Sequence, residues 1–139
     1  KIFVNRNADM TTTAMCWGFD CGDGWFDILN LLCANIQDHI DWRNSTRERL
    51  LESNPHNIKI PDAVPQLVAD QVKEKFGTLR FYTHGGDAVT RGMERMAESM
   101  SAVTCEMCGN RGKIRRGGWI RAWHLWGGSG GNFRHPTPS

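Results

Sequence analysis

The chain has no apolar run approaching the ~20 residues needed to span a bilayer as a helix, so a membrane span is excluded. Its first thirty residues lack a basic stretch followed by an apolar one, so no secretory leader is legible. The five cysteines are odd in number and unevenly spaced, unlike the disulfide framework of a small secreted domain. We therefore expect a reducing, cytoplasmic setting.

Catalytic signatures are missing as well. There is no phosphate-binding GxxxxGK[ST] loop, no HExxH and no GxSxG. A zinc-dependent nucleobase deaminase needs His-x-Glu and a Pro-Cys-x-x-Cys run; no His-x-Glu occurs, and Thr104 precedes Cys105. Pro61-Asp62 is followed by QVKEK, which supplies neither the Asp-x-Lys nor the Glu-x-Lys of a restriction-type nuclease. Asp20, Asp23 and Asp27 flank a turn and suit helix capping better than cation binding. We expect a protein that is not an enzyme.

A length of 139 residues suits one domain with a sizeable core. The net charge of +2 hides an asymmetry. Residues 1–104 carry 11 Lys/Arg against 14 Asp/Glu, whereas 105–139 carry 6 against 1. A basic end on a mildly acidic body points to a polyanion or an acidic protein as partner, or else to plain solvated charge.

Periodicity places the elements. A short strand is expected at Ile2–Val4. Gly22 and Gly24 in CGDGW make a turn, and Asp23 can cap the helix after it. Trp25, Ile28, Leu29, Leu32, Ile36 and Ile40 recur at helical spacing, predicting a helix over about 25–41, with Cys33 in its core. Residues 42–53 read as a short exposed helix, and the prolines at 55, 61 and 65 as a loop. Thr78–Thr83 has strand composition; Val68–Phe76 is either its partner strand or a helix, with Gly77 as the turn. A second helix is expected over about 87–102. Its seam of Val89, Met93, Met96, Met100 and Val103 reads as core rather than as an adaptable binding groove. With that seam packed on the first helix, Met96→Asp would unfold the domain. Gly117-Gly118 is a two-residue hairpin turn between KIRR and WIRAW. Residues 127–139 have the composition of a flexible tail.

Cys105-x-x-Cys108 has the spacing of one zinc half-site, and Gly109 helps its turn. The alternative is two thiols in an ordinary turn. An antiparallel hairpin brings its far end back to its start, so His124 is the natural third ligand. His135, Cys16, Cys21 or water is left as the fourth. Arg111, Lys113, Arg115, Arg116 and Arg121, interleaved with Trp119 and Trp123, combine phosphate-pairing cations with rings able to stack on unpaired bases. Trp119 packing on the methionine seam is the competing reading.

Three stretches, CWGFDCGDGWFDILNLLCANI, QVKEKFGTLRFYTHGGD and RMAESMSAVTCEMCGNRGKIRRGGWIR, resemble a family of small uncharacterised proteins of tailed bacteriophages and prophages. The likeness covers about residues 16–121. It implies a phage origin, a host-cell cytoplasm and a C-terminal zinc ribbon, and brings no known activity. Relatives close the ribbon with Cys-x-x-His after GWIR; here His124 takes the place of that cysteine and Gly127 that of the histidine. The implied zinc site is thus weakened.

The expectation is one α+β domain over residues 1–126, with two amphipathic helices on a small antiparallel sheet. A ribbon-like β-hairpin over 105–124 and a tail over 127–139 complete it. The expected role is an accessory binding protein, zinc-stabilised through Cys105, Cys108 and His124, whose hairpin grips nucleic acid. The alternative is a factor that binds a host protein, or a metal-dependent enzyme.

Overall fold

The computed structural model describes residues 1–4, 15, 18–53 and 59–114, together with the backbone of 122–124. The class is α+β. In chain order the elements are β1 (Phe19–Asp20), a 3-10 turn (Asp23–Trp25), α1 (Phe26–Ser53), β2 (Val68–Lys75), β3 (Thr78–His84), α2 (Ala88–Ser101), β4 (Gly112–Ile114) and β5 (Ala122–His124). Among the described residues no helix is long and apolar enough to cross a membrane.

The stripe expected from periodicity is the buried face of α1: Ile28, Leu29, Leu32, Ile36 and Ile40 are all buried. The helix does not stop near Asp41 but runs unbroken for 28 residues. Neither Gly nor Pro interrupts residues 25–53. The polar half is also tied down. Asn44 donates to the Val64 carbonyl (3.0 Å) and accepts from the Val64 amide (2.8 Å), and Arg47 Nε donates to the Pro61 carbonyl (3.1 Å). These bonds turn 59–67 into a strap along the helix, and they carry Val64 and Leu67 into the core.

Val68–Lys75 is a strand. It pairs antiparallel with β3 from Val68↔His84 to Lys75↔Thr78, with an irregularity between Ala69 and Gln71. The turn places Phe76 (φ 54) and Gly77 (φ 83) in the left-handed region, as a two-residue hairpin requires. Ala69, Val72 and Leu79 are buried in the same core cluster as the α1 stripe. The sheet departs from expectation in being mixed, because β1 joins β2 in parallel through Phe19↔Val72 and Asp20↔Lys73. Ile2–Val4 forms a turn rather than a strand, although the Ile2 carbonyl accepts from the Ala69 amide (2.8 Å).

Helix α2 starts where the sequence placed it. The Asp87 side chain accepts from the Thr90 amide while the Thr90 hydroxyl accepts from the Asp87 amide, a reciprocal cap. The two helices touch, as expected, and His39 Nε2 lies 2.8 Å from Asp87 Oδ2. Yet the methionine seam is not their interface. Val89, Met96, Met100 and Val103 are exposed, and only Met93 is half-buried against the core. The buried face is instead Thr90, Ala97 and Ser101.

The reason lies in β3, the edge of its sheet, whose outward groups need partners. Ser101 Oγ accepts from the Leu79 amide (2.8 Å), Thr83 Oγ1 donates to Glu94 Oε1 (2.5 Å), and Arg80 pairs with Glu98. Small and polar residues let α2 approach that edge, and satisfying the strand turns the apolar seam away from the core. Met96→Asp accordingly buries no charge.

Candidate metal centre

Beyond α2 the chain makes a tight knuckle. Thr104 bridges Arg111, and the Gly112 amide donates to the Val103 carbonyl (2.8 Å). Within this frame the Cys105 amide donates to the Asn110 carbonyl (2.7 Å), and the Gly109 amide to the Cys105 carbonyl (2.9 Å). Gly109 has φ 78, a conformation that lets the loop reverse without a Cβ penalty. The backbone amides of Met107 and Cys108 turn onto Cys105 Sγ, and the Cys108 side chain bonds to the same sulfur. Amides aimed at a thiol are the arrangement that stabilises a thiolate ligand. Burial nevertheless pushes the Cys105 thiol above its usual range, and those two amides only partly oppose it. Cys105 is buried and Cys108 exposed.

The knuckle is seated on the CGDGW turn. The Gly24 amide donates to the Glu106 carbonyl (2.6 Å), and Trp25, fully buried, donates from Nε1 to the Thr104 carbonyl (2.9 Å). Backbone meets backbone here. A Cβ on Gly24 would lie 2.2 Å from the Cys105 oxygen, and one on Gly22 would lie 2.4 Å from the Glu106 oxygen. Both glycines read in the sequence as turn flexibility are therefore also clearance for the cysteine loop. The alternation Gly-x-Gly was the only sign of it, and it does not name the neighbour.

The two described thiols of this loop, Cys105 and Cys108, lie within hydrogen-bonding reach of each other. His124 arrives as expected at the level of the backbone: β4 and β5 are antiparallel, with Gly112↔His124, Lys113↔Trp123 and Ile114↔Ala122. Its side chain, Cys16 and His135 lie outside the described residues. Among the described residues no group of three His, Cys, Asp or Glu side chains is gathered to hold a metal. Cys21 is not drawn to the two sulfurs. It lines an apolar cavity with Phe3, Phe19, Phe26, Leu29 and Cys33. Burial, then Glu106, Asp20 and Asp23, raise the Cys21 thiol to about 11, and burial alone does the same for Cys33. Both thiols are therefore less reactive than an ordinary exposed cysteine. No known protein family, curated protein or solved structure matches the chain significantly.

Of the residues assigned to nucleic acid, Arg111 and Lys113 are exposed on the knuckle and β4. Arg115, Arg116, Trp119 and Arg121 fall outside the described residues, as does the expected turn at Gly117-Gly118; Trp123 is described in its backbone alone.

Proposed function

We propose that this is a non-enzymatic, phage-encoded accessory binding protein. A zinc-stabilised C-terminal hairpin presents basic side chains to nucleic acid. The observation that supports the reading is the knuckle: two cysteines on a loop whose amides face Cys105 Sγ, leading into a strand pair that returns His124 opposite Gly112. The donor set fits zinc, which binds thiolate and imidazole. Cys105, Cys108 and His124 would hold the ion, and zinc would supply folding free energy to the hairpin. Three protein ligands make an open site, weaker than a closed one. The phage origin rests on the sequence resemblance alone.

Arg111 and Lys113 leave the knuckle into solvent. Arg115, Arg116 and Arg121 follow in the same basic segment of the sequence; such cations suit phosphates, and Trp119 offers a ring able to stack on a base. The protein runs on its own apolar core, so metal serves the hairpin and not the helices.

Metal content of protein purified without added zinc, set beside a Cys105→Ser control, tests the site. Near-stoichiometric zinc that is lost in the control is expected. Chelation should then loosen residues 105–124 and leave the helical circular-dichroism signal nearly unchanged. Metal-free protein with an ordered hairpin refutes the zinc reading. Gel shifts against salt test the partner: affinity should fall steeply with salt and weaken on charge reversal at Arg115 and Arg116. Trp119→Ala should weaken single strands more than duplex. Absence of binding at low salt refutes the nucleic-acid reading and leaves an acidic host protein as the partner.

A further inference from the structure

The cavity with Cys21 and Cys33 in its wall has a volume of about 170 Å³. That is on the scale of the roughly 150 Å³ that accepts one benzene-sized guest. Much of its wall is aromatic, from Phe3, Phe19 and Phe26. The Phe3 and Phe19 rings stand 5.2 Å apart with their planes at 84°, so they make a corner, and Phe81 packs on Phe3 at 6.3 Å. Phe26 is 66% exposed and Phe19 42%, so both rings keep area open toward solvent at the mouth. Leu29 is buried and lies deeper.

A purely apolar guest would explain these walls but not the charge around them. Asp23 lines the cavity, and no Lys or Arg is among the described residues that do. Besides burial, Glu106, Asp20 and Asp23 all act on the Cys21 thiol as negative charges. The register neighbour of Asp20 is Lys73, but that ammonium lies over the Tyr82 ring, 5.5 Å from its centroid. The positive end of α1 is close by and opposes a bound cation; Asp23 and Asp27 in the first turns offset it. Aromatic faces attract cations as carboxylates do. Both features select the same chemistry, an ion that is positive at its centre and apolar at its surface.

We propose that this cavity binds a small free methylated ammonium compound of choline size. Its trimethylammonium group sits against Phe3, Phe19 and Phe26, and Asp23 compensates the charge. The methyl groups fill the apolar volume. A primary ammonium is more strongly hydrated and should bind less tightly. An inorganic cation would want several oxygen ligands, and among the described residues no group of three His, Cys, Asp or Glu side chains is gathered to supply them. The site needs neither zinc nor nucleic acid.

NMR on the isotopically labelled full chain tests this, with choline chloride as the titrant and sodium chloride of matched ionic strength as the control. The amide peaks of Cys21, Gly22 and Asn30 should shift saturably with choline alone. The dissociation constant should be on the order of a millimolar, as so small a ligand in an open-mouthed cavity allows. The neutral tert-butyl analogue of choline, with carbon in place of nitrogen, should bind roughly tenfold more weakly. Phe26→Leu and Asp23→Asn change exposed side chains, so both should fold with an unchanged helical signal and bind choline several-fold more weakly. Asp23→Asn should leave the affinity of the neutral analogue unchanged. Absence of any saturable shift at high millimolar choline overturns the proposal. So does a neutral analogue that binds as tightly as choline, and so do folded variants that both bind choline as the wild type does.

Discussion

Gly24→Ala probes whether the cysteine knuckle is seated on the CGDGW turn or only adjacent to it. The new Cβ would lie 2.2 Å from the Cys105 oxygen and 2.5 Å from the Glu106 carbonyl carbon. Both of those atoms are backbone, so no side chain can swing aside. The two segments must separate by about 1 Å to reach ordinary van der Waals contact, which stretches the 2.6 Å bond from the Gly24 amide to the Glu106 carbonyl. Overpacking costs about 1–3 kcal/mol. A weakened backbone hydrogen bond adds roughly 0.5–1.5 kcal/mol. Alanine returns about 0.4–1 kcal/mol by restricting the unfolded chain. These ranges combine to a net loss of about 0.5–4 kcal/mol, centred at ~2 kcal/mol, which is roughly 6–8 °C in Tm for a domain of this size. Thermal melts followed at 222 nm, with Gly92→Ala as the partner experiment, supply the measurement. Gly92 has open space around it and should gain about 0.5–1 kcal/mol. A Gly24→Ala curve that overlays the wild type would refute the seating.

Ile36, fully buried on α1, should cost about 2–5 kcal/mol as Ile36→Ala, whereas Met96→Asp should change monomer stability by no more than about 0.5 kcal/mol; urea titrations at low protein concentration separate the two. Burial alone would raise the Asp87 carboxyl, but bonds from His39 and the Thr90 amide outweigh it and hold that carboxyl below its usual range. A depressed folded-state value means that this stabilisation is complete above the unfolded carboxylate value and is lost as pH falls through the folded one. Asp87→Asn should therefore flatten the acid limb of a Tm-against-pH profile; an unchanged limb would show that the His39 contact contributes nothing. In metal-free protein a thiol reagent at neutral pH should modify exposed Cys108 before Cys21 and Cys33, whose thiols are raised to about 11; equal rates would count against the burial of that cavity. Trp25→Phe keeps an aromatic ring but removes the donor to the Thr104 carbonyl and should cost about 1–3 kcal/mol, read from a denaturant midpoint.

Local chemistry was enough for much of this protein. The buried stripe of α1 is legible because apolar residues at helical spacing can be covered only on one side. The start of α2 near Asp87, the Thr78–Thr83 strand and the Gly77 turn are legible because each depends on neighbours in the chain. The Cys105–Cys108 loop with Gly109 belongs with them, since a four-residue spacing sets its geometry. Features that depended on distant partners were hidden. The length of α1 reflects Asn44 and Arg47 holding Val64 and Pro61, contacts no periodicity reports. The parallel pairing of β1 needed the whole of α1 to intervene between two strands. Gly22 and Gly24 looked like turn residues because nothing local shows that the cysteine loop, some eighty positions away, would press on them. The seam of α2 was misread for the same reason. Periodicity shows that a helix has an apolar face, but not which face the rest of the fold needs. The edge of β3 required hydrogen-bonding partners; Glu94, Glu98 and Ser101 supplied them, and meeting that demand turned the methionines toward solvent.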